Sequence, residues 1–315
     1  MVKYIIQRTL RSLLTIFLIV CIVFVLTRFM PIEGYFPFRF DAMTELELQT
    51  ILYHMGLLDP IPVQLFNFLR QLFTEFDLGY SIRHRVNVPV TQIIATTAPV
   101  SAQFGFPALF MSVPIGMALG LMMARKKGGI WDKVGTAYIT LTNATPALVY
   151  FVIIQLYLSL WLRIPMLFDP EIPVTRVLPI FTLVFAQAPG WAMWMRRFTV
   201  DESNKDYIKL AKAKGVPNTT VFFKHVFRNA VVPMAHWLPA SLMLIISGSI
   251  IVEGLYSIPG MGGLLISSIT AQDNPLTQAL IILFSTIGVF GLLLGDILMA
   301  IIDPRIKLAS KGATR

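Results

Sequence analysis

Residues 196–233 read RRFTVDESNKDYIKLAKAKGVPNTTVFFKHVFRNAVVP and form the longest charged interval between two long apolar runs. Good helix formers fill residues 202–214, Gly215 stands where a helix would end, and Pro217 follows two residues later. Apolar side chains then recur at three- and four-residue spacing over residues 221–229, which indicates a second helix. The stretch therefore predicts a helix, a glycine turn and a helix that together dock a partner protein. A merely solvated basic loop is the alternative.

The composition on either side of this stretch is that of a membrane protein. The chain has 315 residues, of which 56% are hydrophobic and 14% charged, whereas soluble domains are about 25% charged. Its apolar runs reach about 20 residues, the length that spans a hydrocarbon core. We predict an all-α, polytopic integral membrane protein with six transmembrane helices, at about 9–30, 99–124, 133–162, 177–197, 234–256 and 278–302.

The distribution of basic residues predicts the orientation. Nineteen of the 26 Lys and Arg residues, including all eleven lysines, fall in segments on the same side as the N-terminus. Because basic loops remain in the cytoplasm, both termini are predicted to be cytoplasmic. The same rule explains the net charge of +9, so we expect no nucleic-acid partner.

These assignments divide the chain into five parts. They are a cytoplasmic N-terminus (1–8), an uncleaved first transmembrane helix (9–30), an extracytoplasmic loop (31–98), a five-helix core (99–302) that includes the docking stretch 198–233, and a cytoplasmic tail (303–315). The loop contains an amphipathic segment, 61–76, that fits either the membrane surface or the outer mouth of the protein.

Several residues inside the spans suggest packing or bending. Gly116 and Gly120 form a small-xxx-small helix-packing pattern, and Pro114, Pro146 and Pro189 predict kinks. Small residues gather over 240–249, in the predicted fifth span. They fit two interpretations equally well: close packing against another helix, or the lining of a transport path.

Two carboxylates, Glu253 and Asp296, fall near span ends. We expect both to be reached by water and to have structural roles, although an intramembrane carboxylate otherwise suggests function.

No catalytic chemistry is apparent. The sequence has no phosphate-binding loop of the G-x-x-x-x-G-K-[ST] type, and its four histidines and one cysteine lack metal-ligand spacing. A serine hydrolase built on Ser247 or Ser249 would need a histidine at the same depth, but His225 and His236 lie at or near the other end of the span, about 16–20 Å from the serines. We therefore expect no enzyme activity, no metal and no cofactor in this chain.

The docking stretch resembles the cytoplasmic coupling loop of ATP-binding-cassette importer permeases, in particular the oligopeptide, dipeptide and nickel branch. The resemblance rests on Asp206-Tyr207, Ala211-Lys212-Ala213-Lys214-Gly215, His225, Arg228-Asn229-Ala230 and Pro233. Many importers open this loop with Glu-Ala-Ala. Here the matching triplet is Lys209-Leu210-Ala211, a basic variant that is usual in the peptide branch.

Further matches extend over nearly the whole chain. They are Tyr4 to Arg8, Gly56 to Pro60, Asp77 to Ser81 with Pro89-Val90, Glu253 to Gly262, Gly295-Asp296, and Asp303 to Ile306. The sequence departs from the usual pattern of this family at 31–34 and 272–275. Both segments are on the predicted outer side, and these departures leave the identity of the substrate open.

The resemblance implies a permease subunit that forms half of a translocation pathway for peptides or a similar small solute. Its implied partners are a second homologous permease subunit in a heterodimer, two cytoplasmic subunits that bind ATP and Mg, an extracytoplasmic substrate-binding protein and membrane lipid. The implied location is the cytoplasmic (inner) membrane of a bacterium or archaeon.

The resemblance also implies site residues. ATPase coupling is assigned to Asp206, Tyr207, Lys209, Leu210, Ala211, Lys212, Ala213, Gly215, Phe222 and Phe223, although the two phenylalanines fit packing against span ends equally well. An outer gate or binding-protein contact is assigned to Tyr256, Pro259, Gly260 and Gly262.

A secondary transporter or channel that is not coupled to ATP is the alternative. Such a protein would be expected to hold coupling charges near mid-membrane, and the sequence places none there.

Overall fold

The computed structural model describes residues 2–36 and 43–302, so the predicted tail 303–315 and its Asp303–Ile306 motif lie outside the described residues. The described residues are almost entirely helical. The helices are α1 (Val2–Arg28), α2 (Glu45–His54), α3 (Ile61–Thr74), α4 (Val90–Arg125), α5 (Ile130–Ala144), α6 (Ala147–Ile153), α7 (Ser159–Leu162), α8 (Val177–Ser203), α9 (Asp206–Ala213), α10 (Asn218–Thr220), α11 (Arg228–Ala230), α12 (Val232–Ala235), α13 (Trp237–Leu244), α14 (Ile250–Tyr256), α15 (Met261–Thr270) and α16 (Asn274–Ile302). Short 3₁₀ turns at Ile32–Tyr35, Pro173–Arg176 and Ile245–Ser247 and π-helical turns at Ile154–Leu158 and Val221–Phe227 complete them.

One small hairpin interrupts this helical structure. Strands β1 (Tyr80–Ser81) and β2 (Val88–Pro89) pair antiparallel, with Tyr80 opposite Pro89 and Ser81 opposite Val88.

The prediction of an all-α, polytopic membrane protein is confirmed. In the described part of the chain, five helical segments are long and apolar enough to cross a membrane: Lys3–Arg28, Val90–Arg125, Pro173–Ser203, Trp237–Tyr256 and Asn274–Ile302. A sixth span is obtained if the pair Ile130–Ala144 and Ala147–Leu162 is counted as one.

That pair corrects the predicted third span, 133–162, which is not one continuous helix. The two halves meet at an angle of 113°. Thr145 between them is extended, with φ −100° and ψ 133°. Pro146 explains the break, because proline has no N–H to donate and its ring excludes the preceding residue from helical geometry.

The predicted fifth span is interrupted as well. After α13 the chain passes through a 3₁₀ turn to Gly248, whose φ of +69° is a conformation that only glycine adopts readily. Ser249 is extended, and its hydroxyl accepts a hydrogen bond from the Val252 N–H at 3.4 Å, so a new helix, α14, begins there.

The second and fourth spans pack through the predicted glycine pattern, which is confirmed. A methyl group on Gly116 would lie 2.5 Å from the carbonyl oxygen of Ala188, and one on Gly120 would lie 2.5 Å from that of Ala192. Since real contacts are longer, any larger side chain would force α4 and α8 apart.

Two ion pairs join the helices at one end of the bundle, which we call the helix-turn-helix end. Arg8 of α1 pairs with Asp296 of α16. Arg196 of α8 binds Asp132 of α5 through two hydrogen bonds, of 2.6 and 3.1 Å. The basic N-terminus, the basic residues around 125–133 and the start of the docking stretch therefore meet at this end.

The opposite end, which we call the hairpin end, is organised by the Asp273 carboxylate just before α16. Asp273 is completely buried, and its Oδ2 accepts hydrogen bonds from the Ser81 hydroxyl (2.6 Å) and from three successive backbone N–H groups of residues 82–84 (3.0 Å each). The Arg83 guanidinium donates to the carbonyls of Glu33 (2.7 Å) and Phe36 (3.1 Å). These bonds fix the long loop onto the spans.

The amphipathic segment of this loop forms α3 and packs against the sides of α1 and α16. Phe68 stacks on Phe24 with ring centroids 5.0 Å apart, and Leu69 and Leu72 join a cluster built on Val20, Val23 and Ile282. Its other face is exposed, with Phe66 68% accessible.

We expect Asp273→Ala to destabilise the hairpin end, because it leaves five donors without their acceptor, the four on Oδ2 and the Leu276 N–H on Oδ1, and each unpaired buried donor costs about 1–3 kcal/mol. The apparent Tm of the detergent-solubilised protein should fall by roughly 5 °C or more. The control is Asp59→Asn, a change at an exposed carboxylate on the same loop, which should leave Tm within about 1 °C. Equal melting of Asp273→Ala and wild type would contradict the assigned role.

Candidate functional site

The docking stretch folds as a helix, a glycine turn and a second helical segment, as predicted. Gly215 has φ +76°, and its N–H donates to the Lys212 carbonyl at 2.9 Å, which ends α9. The first helix begins at Asp206, because α8 continues to Ser203 and takes up the residues before it.

This helix-turn-helix has a small apolar core of its own. Ile208, Val221 and Val226 are each no more than 2% exposed, and Ala211 and Val216 pack against them. The element is therefore a folded unit, and the solvated-loop alternative does not describe it.

Tyr207 connects the three parts of this unit. Its hydroxyl donates to the Glu202 carboxylate at the end of α8 and accepts a hydrogen bond from the Asn229 amide of α11 at 2.7 Å. Burial, together with the hydrogen bond to Glu202, raises the pKa of the Tyr207 phenol. The phenol thus remains protonated at neutral pH and keeps its donor.

Most of the predicted coupling residues lie on the exposed surface of α9 and its turn: Asp206, Tyr207, Lys209, Leu210, Lys212, Ala213 and Gly215. Leu210 is 56% exposed, an unusual position for a leucine next to three lysines. Asp206 and Lys209 pair with each other at 2.8 Å. Ala211 faces inward to the small core.

The two predicted phenylalanines have different environments. Phe223 is 55% exposed, so like Leu210 it presents an apolar side chain at the surface of the helix-turn-helix. Phe222 is partly buried, and the Arg125 guanidinium at the end of α4 lies 5.9 Å from its ring centroid. Contact of either residue with a partner stays a prediction.

The helix-turn-helix is packed directly onto the spans. Ala230 at its end forms a buried cluster with Met195 of α8 and Met234 of α12, and Trp191 and Trp194 pack against this cluster. A displacement of the element therefore reaches α8 and the start of the fifth span through side-chain contact.

Those tryptophans line a cavity of about 400 Å³ that is partly open to its surroundings. The cavity lies between α4, α8 and the broken fifth span, α13–α14. Its lining residues are Ser101, Phe104, Gly105, Leu109, Leu183, Gln187, Gly190, Trp191, Trp194, Met234, Trp237, Ser241, Leu244, Ile245, Gly248, Ser249, Val252, Glu253 and Ile258. Trp194 and Trp237 stack across it with centroids 5.9 Å apart.

Glu253 lies at the other end of the cavity and holds the start of α15. Its Oε2 accepts from the N–H groups of Gly262 (2.7 Å) and Gly263 (3.0 Å), and its Oε1 accepts from the Ser101 hydroxyl (2.7 Å) and the Ser249 N–H (3.3 Å). The expectation that water reaches this carboxylate is wrong, since Glu253 is only 4% exposed. The four hydrogen bonds agree with the structural role that we expected.

The predicted outer-gate residues lie around Glu253, and most of them are buried. Tyr256 is fully buried and its hydroxyl is 2.7 Å from the Thr182 hydroxyl, so its side chain cannot contact a binding protein directly. Gly260 and Gly262 are also buried, while Pro259 is exposed. The gate assignment itself stays a prediction.

Glycine is required at residues 260 and 262 because other atoms approach the backbone too closely for a side chain. A methyl group on Gly260 would lie 2.5 Å from the Glu253 carboxyl carbon, and one on Gly262 would lie 2.6 Å from the Ile250 nitrogen.

Of the small residues over 240–249, for which the sequence left packing and path lining equally open, Ser241, Gly248 and Ser249 line the cavity, but sequence reasoning missed Gln187 and the three tryptophans. The spacing of Trp191 and Trp194, three residues apart within one span, was an available signal. The contribution of Trp237 and Ser101 depends on how distant segments pack, which no local pattern indicates.

Comparisons with known proteins identify the family of this chain. The family model described as "binding-protein-dependent transport system inner membrane component" matches residues 116–308, and its N-terminal companion model matches residues 1–101. The chain therefore belongs to this family of membrane-spanning transport components.

Individual relatives cover almost the whole chain. It is 33% identical over 308 residues to the dipeptide transport system permease protein DppB of Lactococcus lactis, which covers 98% of this chain and 100% of the relative. It is 29% identical over 312 residues to the oligopeptide transport system permease protein OppB of Haemophilus influenzae, with the same coverage. The oligopeptide permease AmiC of Streptococcus pneumoniae is 38% identical over 215 residues, which cover 67% of this chain and 43% of AmiC.

We expect Glu253→Ala to expose the start of α15, because the N–H groups of Gly262 and Gly263 lose their acceptor. The helix itself offers no replacement, since N–H groups in the first turn have no carbonyl partner within the helix. Hydrogen–deuterium exchange at these two residues should accelerate by about tenfold or more. Glu253→Gln, which keeps one acceptor oxygen, should have an intermediate effect. Glu171→Ala, a change at an exposed carboxylate, is the control. Unchanged exchange in Glu253→Ala would refute the capping role.

Proposed function

We propose that this chain is a permease subunit of an ATP-driven importer and forms half of a translocation pathway for di- or oligopeptides or a similar small solute. The observation that carries the proposal is the folded helix-turn-helix, which exposes the apolar side chains of Leu210 and Phe223 and also packs on the cavity-lining helices. The relatives are dipeptide and oligopeptide permeases, which favours a peptide cargo.

The coupling proceeds by movement of a rigid element. Two cytoplasmic subunits bind ATP and Mg, and one of them contacts the exposed surface of α9 around Leu210 and Phe223. When that subunit moves, the element moves as one body because Ile208, Val221 and Val226 form its core. The cluster of Met195, Ala230 and Met234 then transmits the displacement to Trp191 and Trp194 at the cavity wall.

Further partners complete the pathway. A second, homologous permease subunit covers the open side of the cavity in a heterodimer, and a substrate-binding protein outside the membrane delivers the cargo, in keeping with the description of the family. The helix-turn-helix end and both termini face the cytoplasm, as the distribution of lysines predicts. The protein lies in the cytoplasmic membrane of a prokaryote, surrounded by lipid.

A secondary transporter or channel without ATP coupling is the alternative. In the described chain, the carboxylates at the spans are already engaged: Asp132 and Asp296 pair with arginines near one end, and Glu253 accepts four hydrogen bonds. This arrangement favours an ATP-driven transporter, because it leaves few ionisable side chains that could couple an ion gradient to transport.

The direct test is purification of the tagged chain in mild detergent, followed by mass spectrometry of the proteins that accompany it. The proposal expects ATPase subunits, a second permease and a substrate-binding protein. Recovery of the chain alone from a preparation that still transports would overturn it in favour of a secondary carrier.

We expect Gly215→Pro to abolish transport without preventing membrane insertion. Proline fixes φ near −65° and has no N–H, whereas Gly215 has φ +76° and donates a hydrogen bond that ends α9. Gly215→Asn is the matched control, since asparagine tolerates the left-handed conformation and should retain most of the activity. ATP-dependent uptake into vesicles measures both, and normal uptake by Gly215→Pro would refute the coupling assignment.

Leu210→Asp should weaken docking of the ATPase subunit, since it places a carboxylate in the proposed apolar contact. Loss of a central interface side chain commonly costs 1–2 kcal/mol or more, so recovery of the ATPase should fall by about fivefold or more. The control is Leu46→Asp, because Leu46 is 76% exposed on α2, far along the chain from this surface. Equal recovery for both variants would remove Leu210 from the interface.

A further inference from the structure

The side chain of Gln187 is held in a fixed orientation on the cavity wall. Gln187 projects from α8, and its Oε1 accepts a hydrogen bond from the Ser112 hydroxyl of α4 at 3.1 Å. Ser112 is completely buried, which makes it a rigid support. The NH₂ group of the Gln187 amide donates to no other group in the described part of the chain and lies at the cavity.

The rest of the wall offers apolar surface and a few more donors. The indole N–H groups of Trp191, Trp194 and Trp237 likewise have no hydrogen-bond acceptor among the described residues, and aliphatic and aromatic side chains fill most of the remaining lining. Glu253 is the one charged residue of the lining, and its two oxygens already accept four hydrogen bonds.

A wall with free donors, aromatic faces and no free charge suits a particular kind of ligand. It suits a molecule that presents neutral acceptors and side chains of varied shape, and the backbone carbonyls of a peptide are such acceptors. A volume of about 400 Å³ lies within the range of about 300–1,000 Å³ that is typical of small-ligand sites.

We propose that Gln187 is a cargo-binding residue that donates a hydrogen bond to a backbone carbonyl of the passing peptide, while the tryptophans accommodate its side chains. The inference rests on the proposed peptide transport and adds the group that contacts the cargo. Because the contact is neutral and addresses the backbone, the pathway accepts acidic, basic and apolar side chains without strong preference.

A charge placed at residue 187 would remove this neutrality, since charges interact strongly where water is scarce. Gln187→Glu keeps an oxygen for the Ser112 hydroxyl and has nearly the same shape, so it is a mild change for the fold. Gln187→Lys introduces the opposite charge. Gln103→Glu and Gln103→Lys are matched controls, because Gln103 is a partly buried glutamine of α4 that does not line the cavity.

The test uses the complete transporter in proteoliposomes with the same binding protein throughout, and it measures uptake of Ala-Lys-Ala and Ala-Glu-Ala. Relative to wild type, the uptake ratio of the lysine to the glutamate peptide should rise by about fivefold in Gln187→Glu and fall by about fivefold in Gln187→Lys. A merely structural role would lower both uptake rates and leave their ratio unchanged. An unchanged ratio in both variants would therefore overturn the proposal.

A second measurement covers the case in which these variants fail to assemble. Gln187→Cys, in a Cys21→Ser background, is labelled with a thiol reagent during turnover with either peptide. Protection by peptide supports the contact, and equal labelling with and without peptide overturns it. If the wild-type transporter takes up neither peptide, the proposed peptide cargo itself is refuted; uptake by wild type with an unchanged ratio refutes only the role of Gln187.

Discussion

The structure depends on one constraint. Where a helix in the membrane is interrupted, its backbone N–H and C=O groups lose their partners and must form hydrogen bonds with other protein groups, because lipid cannot form them. Pro189 has no N–H for the Phe185 carbonyl, and the Tyr138 hydroxyl of α5 donates to that oxygen instead, at 2.6 Å. At the break at Gly248 and at the start of α15, backbone N–H groups donate to Glu253 and Ser101 in the same way. The interruptions thus become the points at which separate helices are joined.

Much of the fold could be predicted from the sequence, since spans are read from the length of apolar runs and sidedness from lysines. The helix-turn-helix was also accessible, because Gly215, Pro217 and the spacing of apolar residues act locally. A kink at Pro146 was predicted, but the size of the bend at Thr145 and the break at Gly248 were not. Hydropathy records how long an apolar segment is, and it carries no information on the direction in which that segment runs.

The site was less accessible, for reasons of distance along the chain. The burial of Glu253 is decided by Ser101, which lies 152 residues away, and by the turn that begins α15. Gln187 owes its orientation to Ser112, on a helix 75 residues earlier. Neither pair leaves a pattern in the sequence. Tyr207 lies in the helix-turn-helix that the sequence predicts, but that its hydroxyl joins Glu202 to Asn229 became visible only in three dimensions.

The contact of α4 with α8 at Gly116 and Gly120 has a mechanical consequence. Two helices whose backbones are in direct contact cannot shift past each other by small steps, so we expect α4 and α8 to move as one rigid body. The fifth span, in contrast, is not one continuous helix, because it is interrupted at Gly248. The cavity therefore lies between a rigid pair of helices and a span that is interrupted at Gly248.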